Sequence, residues 1–197
     1  MQVNQGKNAQ VFNHKAFVAL GSNLPATTAS PAALVRQALR LLEGDSVSLA
    51  AQSRLVRSPA FPAGSGPDYV NAVVMLNTCL SARALLARLH AIEAELGRER
   101  QVRWGARCID LDLLFYDQQI LPDVATYNRW KNMPPESQMH EAPDELILPH
   151  PRLQDRAFVL VPLAGIAPEW LHPVLGLSVR ALLERLPVAN IREITPL

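Results

Sequence analysis

Apolar residues recur along this chain with two periods, and the places where one period gives way to the other mark the elements. Ala16-Phe17-Val18-Ala19-Leu20 is a short apolar run ending on Gly21-Ser22-Asn23, the pattern of a buried strand that runs into a tight turn. Ser30-Pro31 then offers an N-cap and a first-turn proline to a helix with the stripe Leu34, Ala38, Leu41 and Leu42 and a stop at Gly44. Val47 to Arg57 alternates loosely and reads as one strand. Ser58 to Asp68 contains Pro59, Pro62, Pro67, Gly64 and Gly66, which predicts a loop. Tyr69 to Thr78 reads as a clear strand: Tyr69, Asn71, Val73 and Met75 share one face, and Val70, Ala72, Val74 and Leu76 the other. Ser81 caps a second helix reaching Leu96, with Leu85, Leu86, Leu89, Ile92 and Leu96 at core spacing and Gly97 as its stop.

A polar stretch from Arg98 to Ala106 leads into another strand, in which Ile109, Leu111 and Leu113 take one face and Asp110 and Asp112 the other. Pro122 to Pro149 is polar and carries Trp130, Pro134, Pro135, His140 and Pro143; loops of that length in a small domain are functional or disordered. Leu153 to Ile166 reads as an amphipathic helix despite Pro162, with Arg152 and Arg156 on one face near its N-terminus. A last helix is predicted from Ser178 to Leu186. The order strand, helix, strand, strand, helix, strand predicts an α+β sandwich, a mainly antiparallel sheet packed with helices enough for one face.

Length and charge narrow the function classes. At 197 residues there is material for one core, so residues 1–15, mostly polar and without a continuous apolar run, are expected as a flexible tail and 16–197 as a single domain. The net charge of +1 argues against a nucleic-acid footprint, because the positive charge is local, at Arg98, Arg100, Arg103 and Arg107. Such a cluster suits a small anionic ligand. Cys79 and Cys108 have neither metal-ligand nor redox spacing and read as reduced thiols. The absence of an apolar leader and of any run near the roughly twenty residues a bilayer helix needs predicts a soluble, cytoplasmic protein without a membrane partner.

Asp110 and Asp112, at i and i+2 of a strand, repel each other unless a cation lies between them. Hard oxygen ligands suit Mg²⁺, which takes one or two carboxylates and completes its shell with water and phosphate oxygens. Arg103 and Arg107 would meet the same phosphates as forked donors. The simpler alternative is an edge strand with solvated carboxylates, and Asp-Leu-Asp alone favours it. Gly21-Ser22-Asn23 reads equally as a phosphate turn or a structural one; it lacks the P-loop pattern, and its distance from Asp110 excludes nucleotidyltransferases resembling DNA polymerase beta. Tyr69 and Asn71, on one strand face, suit a flat heterocycle or an ordinary packed pair. His150 lies between Pro149 and Pro151, which fix its backbone.

Five fragments together resemble one family. They are Leu20-Gly21-Ser22-Asn23-Leu24, Pro67-Asp68-Tyr69-Val70-Asn71-Ala72, Glu93-Ala94-Glu95-Leu96-Gly97-Arg98, the run from Arg103-Trp104-Gly105-Ala106-Arg107 to Asp112, and Pro149-His150-Pro151-Arg152 with Arg156-Ala157-Phe158. In this order they resemble 6-hydroxymethyl-7,8-dihydropterin pyrophosphokinase over about residues 16 to 186. The resemblance implies a ferredoxin-like α+β fold and the transfer of pyrophosphate from ATP to the pterin hydroxymethyl group, releasing AMP in folate biosynthesis. It implies Asp110 and Asp112 as ligands of two Mg²⁺ ions, and Arg98, Arg107, Asp110 and Asp112 as the catalytic set. Ser58, Pro59, Phe61, Tyr69, Asn71, Trp104 and Phe158 match pterin-contacting positions, and Glu93, Arg98, Arg100, Arg107, His150 and Arg156 match ATP-binding ones. Trp104 belongs to a closing loop that excludes water. The implied partners are ATP and a reduced pterin, with a monomer, or a weak dimer, as the working form.

Ala106 and Cys108 stand where the signature usually has proline and threonine, and His90 where glutamine is usual. The Gly97 to Trp104 loop is one residue short of a common form. The stretch at about 123–144 is a long insertion, and Trp130 with its neighbouring prolines suggests an added cover beside the nucleotide pocket. Two other classes stay in view: a ferredoxin-like RNA-binding module, which would need an aromatic RNP strand that is not visible, and a family member that binds without turnover.

Overall fold

The computed structural model describes residues 11–23, 29–60, 66–97, 108–134, 137, 141 and 143–197. Its spine is β1 (His14–Ser22), an apolar strand paired antiparallel over its whole length with β4 (Tyr69–Thr78) and, on its other side, with β5 (Asp110–Tyr116). The far side of β4 carries β2 (Val47–Gln52) and β3 (Val56–Ser58), and β6 (Thr195–Pro196) adds to β3, so the sheet runs β5-β1-β4-β3-β6 with β2 on β4. Every strand pairing described is antiparallel.

Alternation sorts the sheet into two apolar faces. Ala16, Val18 and Leu20 join Val70, Ala72, Val74, Leu76, Leu111 and Leu113 beneath α1 (Pro31–Leu42) and α2 (Ala82–Glu95). Phe17, Ala19, Val73, Leu114 and Phe115 form the opposite face, beneath α4 (Ala157–Ala164) and α5 (Val179–Glu184). Helices therefore cover both faces, not the one expected. The second layer is made of the helices predicted at 153–166 and 178–186; α4 is apolar nearly all round, with Ala157, Val159, Leu160, Pro162 and Leu163 buried, as a helix packed into a core is.

The caps read from sequence form as expected. Ser30 Oγ accepts the Ala33 N–H and Ser81 Oγ the Ala84 N–H, both at 3.3 Å. Gly97 ends α2 with φ +88, a left-handed conformation that a Cβ disfavours. At the end of α1, Glu43 is already extended, and Arg88 of α2 takes the carbonyls of Leu41, Leu42 and Glu43 at 3.0, 3.1 and 3.3 Å.

Several expectations are corrected. The single strand at 47–57 is two, because at Ser53 the backbone N–H still donates to Val73 O but the hydroxyl, not the carbonyl, accepts the Val73 N–H, and the same hydroxyl donates to Arg54 O. The supposed tail gives up its last two residues to β1: His14 and Lys15 pair with Thr78 and Asn77, and Asp117 accepts the Lys15 N–H at 2.8 Å. The long helix at 153–166 is a 3₁₀ turn, Leu153–Asp155, followed by α4. Arg156 sits between them with an extended backbone, so Arg152 and Arg156 do not share a helix face. A further helix, α6 (Val188–Arg192), follows α5.

The polar stretch after Pro122 contains α3 (Val124–Lys131), capped by Asp123, whose Oδ1 accepts the Thr126 N–H at 2.8 Å. Tyr127 and Trp130, three apart, bury one side of it against Ile147, Met133 and Val174. The Tyr127 hydroxyl lies 3.1 Å from Nε2 of buried His172. Two backbone bonds between Leu121 and Leu148 close the base of this arm. Its apolar side thus faces the turn at 172–174.

Candidate active site

Three neighbouring strands bring the polar fragments together. Gly21 of β1 is paired with Asn71 of β4 on one side and with Asp110 of β5 on the other; Ala19, one step along the same face, lies between Val73 and Asp112. Directly opposed residues point to the same side of an antiparallel sheet. Asn71 and Asp110 are therefore separated by two strand spacings, about 9–10 Å, with a glycine as the floor between them. A Cβ on Gly21 would lie 3.1 Å from Asn71 Oδ1. The result is a trough the width of a bicyclic ring, with an amide on one wall and a carboxylate on the other.

On the amide wall, Asn71 Nδ2 donates to Ser58 Oγ at 2.9 Å in a fully buried contact. That bond fixes the amide orientation and leaves Oδ1 turned toward the trough above Gly21. Tyr69, two residues back on the same face, is partly buried and is paired with Ser58 across β3. Pro59 follows immediately. Asn23, at the end of β1, donates from Nδ2 to Pro67 O at 3.4 Å and so ties the strand end to the segment entering Tyr69.

The carboxylate wall is built around a β-bulge. Val18 opposes Leu113 and Phe17 opposes Phe115, so Leu114 is the extra residue. Two consecutive side chains, Leu114 and Phe115, consequently enter the same core. The Leu114 carbonyl accepts the His150 N–H at 2.9 Å, which docks the Pro149-His150-Pro151 segment beside the aspartates. His150 Nδ1 accepts the Arg152 N–H at 3.1 Å. Burial, reinforced by the Arg156 guanidinium and opposed by the Asp110 carboxylate, pushes the His150 imidazole down to about 3. The ring is neutral near pH 7 and carries its proton on Nε2, as a donor.

Arg156, at the head of α4, extends Nη1 to within 3.3 Å of Asp112 Oδ2, and its guanidinium carbon stands 5.7 Å from the centre of the Phe158 ring. Phe158, in the first turn of α4, is partly buried at the border between core and trough. Asp110 and Asp112 are both partly exposed. Among the described residues no group of three or more His, Cys, Asp or Glu side chains converges as a complete metal shell. A pair of partly exposed hard carboxylates fits a divalent ion that takes its remaining ligands from water and substrate oxygens.

The structure thus gathers Ser58, Pro59, Tyr69, Asn71, Asp110, Asp112, His150, Arg156 and Phe158 around one end of one sheet face. Glu93 lies beneath it, buried, with Oε1 accepting the Leu111 N–H at 2.7 Å. Phe61, Arg98, Arg100, Trp104 and Arg107 lie outside the described residues. Gly21 and Ala19 were missed as site residues. Their signal was present in the shrinking side chains of Phe17, Ala19 and Gly21 along one face of β1. The opening Ser22 contributes differently: it points to the other face, where its hydroxyl donates to the Cys108 carbonyl and holds the entrance to β5.

Comparison with known proteins identifies the family. The family model described as 7,8-dihydro-6-hydroxymethylpterin-pyrophosphokinase (HPPK) matches residues 17–168. The 2-amino-4-hydroxy-6-hydroxymethyldihydropteridine pyrophosphokinase of Synechocystis sp. is 36% identical over 183 residues, 93% of this chain and 82% of that protein. A protein of the same name from Methylorubrum extorquens is 33% identical over 180 residues, 91% of this chain and 98% of its own length. The folic acid synthesis protein fol1 of Pneumocystis carinii is 31% identical over 94% of this chain, which spans only 22% of that protein. Among solved structures, a Plasmodium falciparum HPPK-DHPS triple mutant superposes with a TM-score of 0.64 at 16% identity, covering 93% of this chain and 47% of that one. That last likeness is one of fold.

Proposed function

This chain belongs to the 7,8-dihydro-6-hydroxymethylpterin-pyrophosphokinase family, and we propose that its sheet-end trough transfers pyrophosphate from ATP to the hydroxymethyl group of 6-hydroxymethyl-7,8-dihydropterin. The chain is a pyrophosphokinase of folate synthesis, as its relatives over most of its length are named. The observation that carries the site assignment is the row Asn71–Gly21–Asp110. An amide that reads a heterocycle edge and a carboxylate that serves the phosphate side face one another across a floor with no side chain.

In this reading the pterin ring lies over Gly21, flanked by Tyr69 and Phe158, with its polar edge on Asn71 and the Ser58-Pro59 segment beside it. Asp110 and Asp112 would hold two Mg²⁺ ions, whose chemistry is to neutralise phosphate charge and make the hydroxyl easier to deprotonate. His150 donates from Nε2 and Arg156 from its guanidinium to the triphosphate. Because Arg156 already leans on Asp112, a bound phosphate and a metal would separate the two and draw each to its own partner. The family resemblance implies Arg98, Arg100 and Arg107 as further phosphate contacts and Trp104 and Phe61 as pterin contacts; all five lie outside the described residues. Positioning and charge stabilisation suffice for phosphoryl chemistry of this kind, and the chain needs no nucleophile of its own.

The test is product identity. Purified protein with ATP, Mg²⁺ and hydroxymethyl-dihydropterin should yield AMP and the pterin diphosphate in equal amounts. Pterin-dependent ADP would refute the pyrophosphoryl assignment. Absence of turnover, with pterin still bound, would mark the chain as a binder.

A further inference from the structure

Two groups from outside the sheet serve the outer edge of β5. One is His150, on the Leu114 carbonyl. The other is Glu93 of α2, whose Oε1 takes the Leu111 N–H at 2.7 Å from 18 residues earlier in the chain. Leu111 is the residue between Asp110 and Asp112. Among the described residues β5 is the end strand of the sheet and pairs with β1 alone, so the Glu93 carboxylate occupies the position of a further strand and supplies that strand's acceptor.

The side chain is 1% exposed. A carboxylate is costly to bury, and a helix that merely packed against the sheet would present an apolar residue there. What the carboxylate adds is a charge-assisted bond, shorter and stronger than an amide acceptor makes, to the backbone between the two aspartates. The aspartates point to the trough face, while α2 lies on the opposite one beneath Leu111 and Leu113. Glu93 thus reaches the strand from below and at its edge.

We propose that Glu93 is a positioning residue for the aspartate pair and not a ligand of the nucleotide. It fixes the backbone between Asp110 and Asp112, and through it the distance between two carboxylates that must share divalent cations. This role rests on the pyrophosphokinase reading for the identity of the metal, but the arrangement can be measured without turnover.

The experiment is a Mn²⁺ titration of the full chain, followed by electron paramagnetic resonance, with a non-hydrolysable ATP analogue present. E93D keeps the charge and loses the reach; E93Q keeps the reach and an oxygen acceptor. Groups behind metal ligands typically contribute about 10–100-fold in affinity, so E93D should weaken Mn²⁺ by about 10-fold or more, and E93Q by about 3-fold at most. The analogue's own affinity, measured without metal, should stay unchanged in both. Wild-type Mn²⁺ binding in folded E93D would overturn the proposal. So would an analogue affinity that falls in both variants while Mn²⁺ binding holds, since that is the signature of a direct nucleotide contact. A wild-type chain that forms no AMP yet shows the expected Mn²⁺ pattern would remove the proposed reaction and leave this role standing.

Discussion

Phe17 and Gly21 lie on the same face of the same strand, four residues apart, and between them the molecule changes from core to site. At the Phe17 end the neighbours are Met75, Phe115 and Leu114, and the Trp170 ring centre stands 4.7 Å away. At the Gly21 end the neighbours are Asn71 and Asp110. Both ends obey the same alternation. What differs is volume and polarity along the face, as Phe, Ala and Gly succeed one another on β1 while apolar partners give way to an amide and two carboxylates. Alternation chooses the face of a side chain; the taper along the strand decides whether that face is filled or left as a trough.

The largest effect should come from the open end. Asp110→Ala or Asp112→Ala is expected to lower AMP formation by about a thousandfold or more, as loss of a metal ligand does, with little change in the thermal midpoint. Near-normal rates in both variants would show that the carboxylates only decorate the strand. At the packed end the signs reverse. Phe17→Ala should cost about 3–5 kcal/mol of stability in urea unfolding, the usual range for a buried aromatic, while turnover per folded molecule stays within about twofold. If turnover collapsed with the fold intact, the two ends would not be separable.

Gly21→Val tests the boundary between them. It should raise the Michaelis constant for the pterin and lower turnover about a hundredfold, because the new methyls meet the Asn71 amide. The unfolding midpoint should shift little. A smaller effect separates the ends by pH. His172 packs edge-on against Phe115 with ring centres 5.6 Å apart, and burial pushes its imidazole down to about 4. The folded state keeps this ring neutral, while the unfolded chain takes up a proton near pH 6.5. Stability is therefore present above that value and declines as pH falls toward 4. His172→Gln should flatten that decline by on the order of 1–3 kcal/mol, without altering the pH dependence of the Michaelis constant for ATP; an unchanged slope would remove His172 from the account.

Most of this sheet was legible in the chain. Strand β4 could be read to its ends because Tyr69 to Thr78 is a β-branched and apolar run bounded by Asp68 and Ser81, and α1 and α2 because each has a serine cap and an apolar stripe. The misreadings have local physical causes. The division of β2 from β3 depends on Ser53 exchanging hydrogen bonds with Val73, a tertiary event with no periodic trace. Helix α3 was hidden because only Tyr127 and Trp130 of its eight residues are buried, so polar positions outnumber its seam. At the site, the resemblance named Asn71 and Glu93, but only the strand register showed that Asn71 faces Asp110 across a glycine, and only the Leu111 N–H bond showed that Glu93 grips the strand between the aspartates. Partners 18 or more residues apart are what a one-dimensional pattern omits.

The bulge at Leu114 has an evolutionary side. In a plain strand the loss of one codon turns every later side chain to the wrong face, so strands tolerate such changes poorly. Here Leu114 and Phe115 already share a face, and deleting one of them would restore simple alternation without turning over Asp110, Asp112 or Tyr116. The aspartate half and the aromatic half of β5 are thus out of phase by a single residue. A lineage could gain or lose that residue while keeping both carboxylates in step with Gly21, leaving the anchorage of His150 as the property on which selection would act.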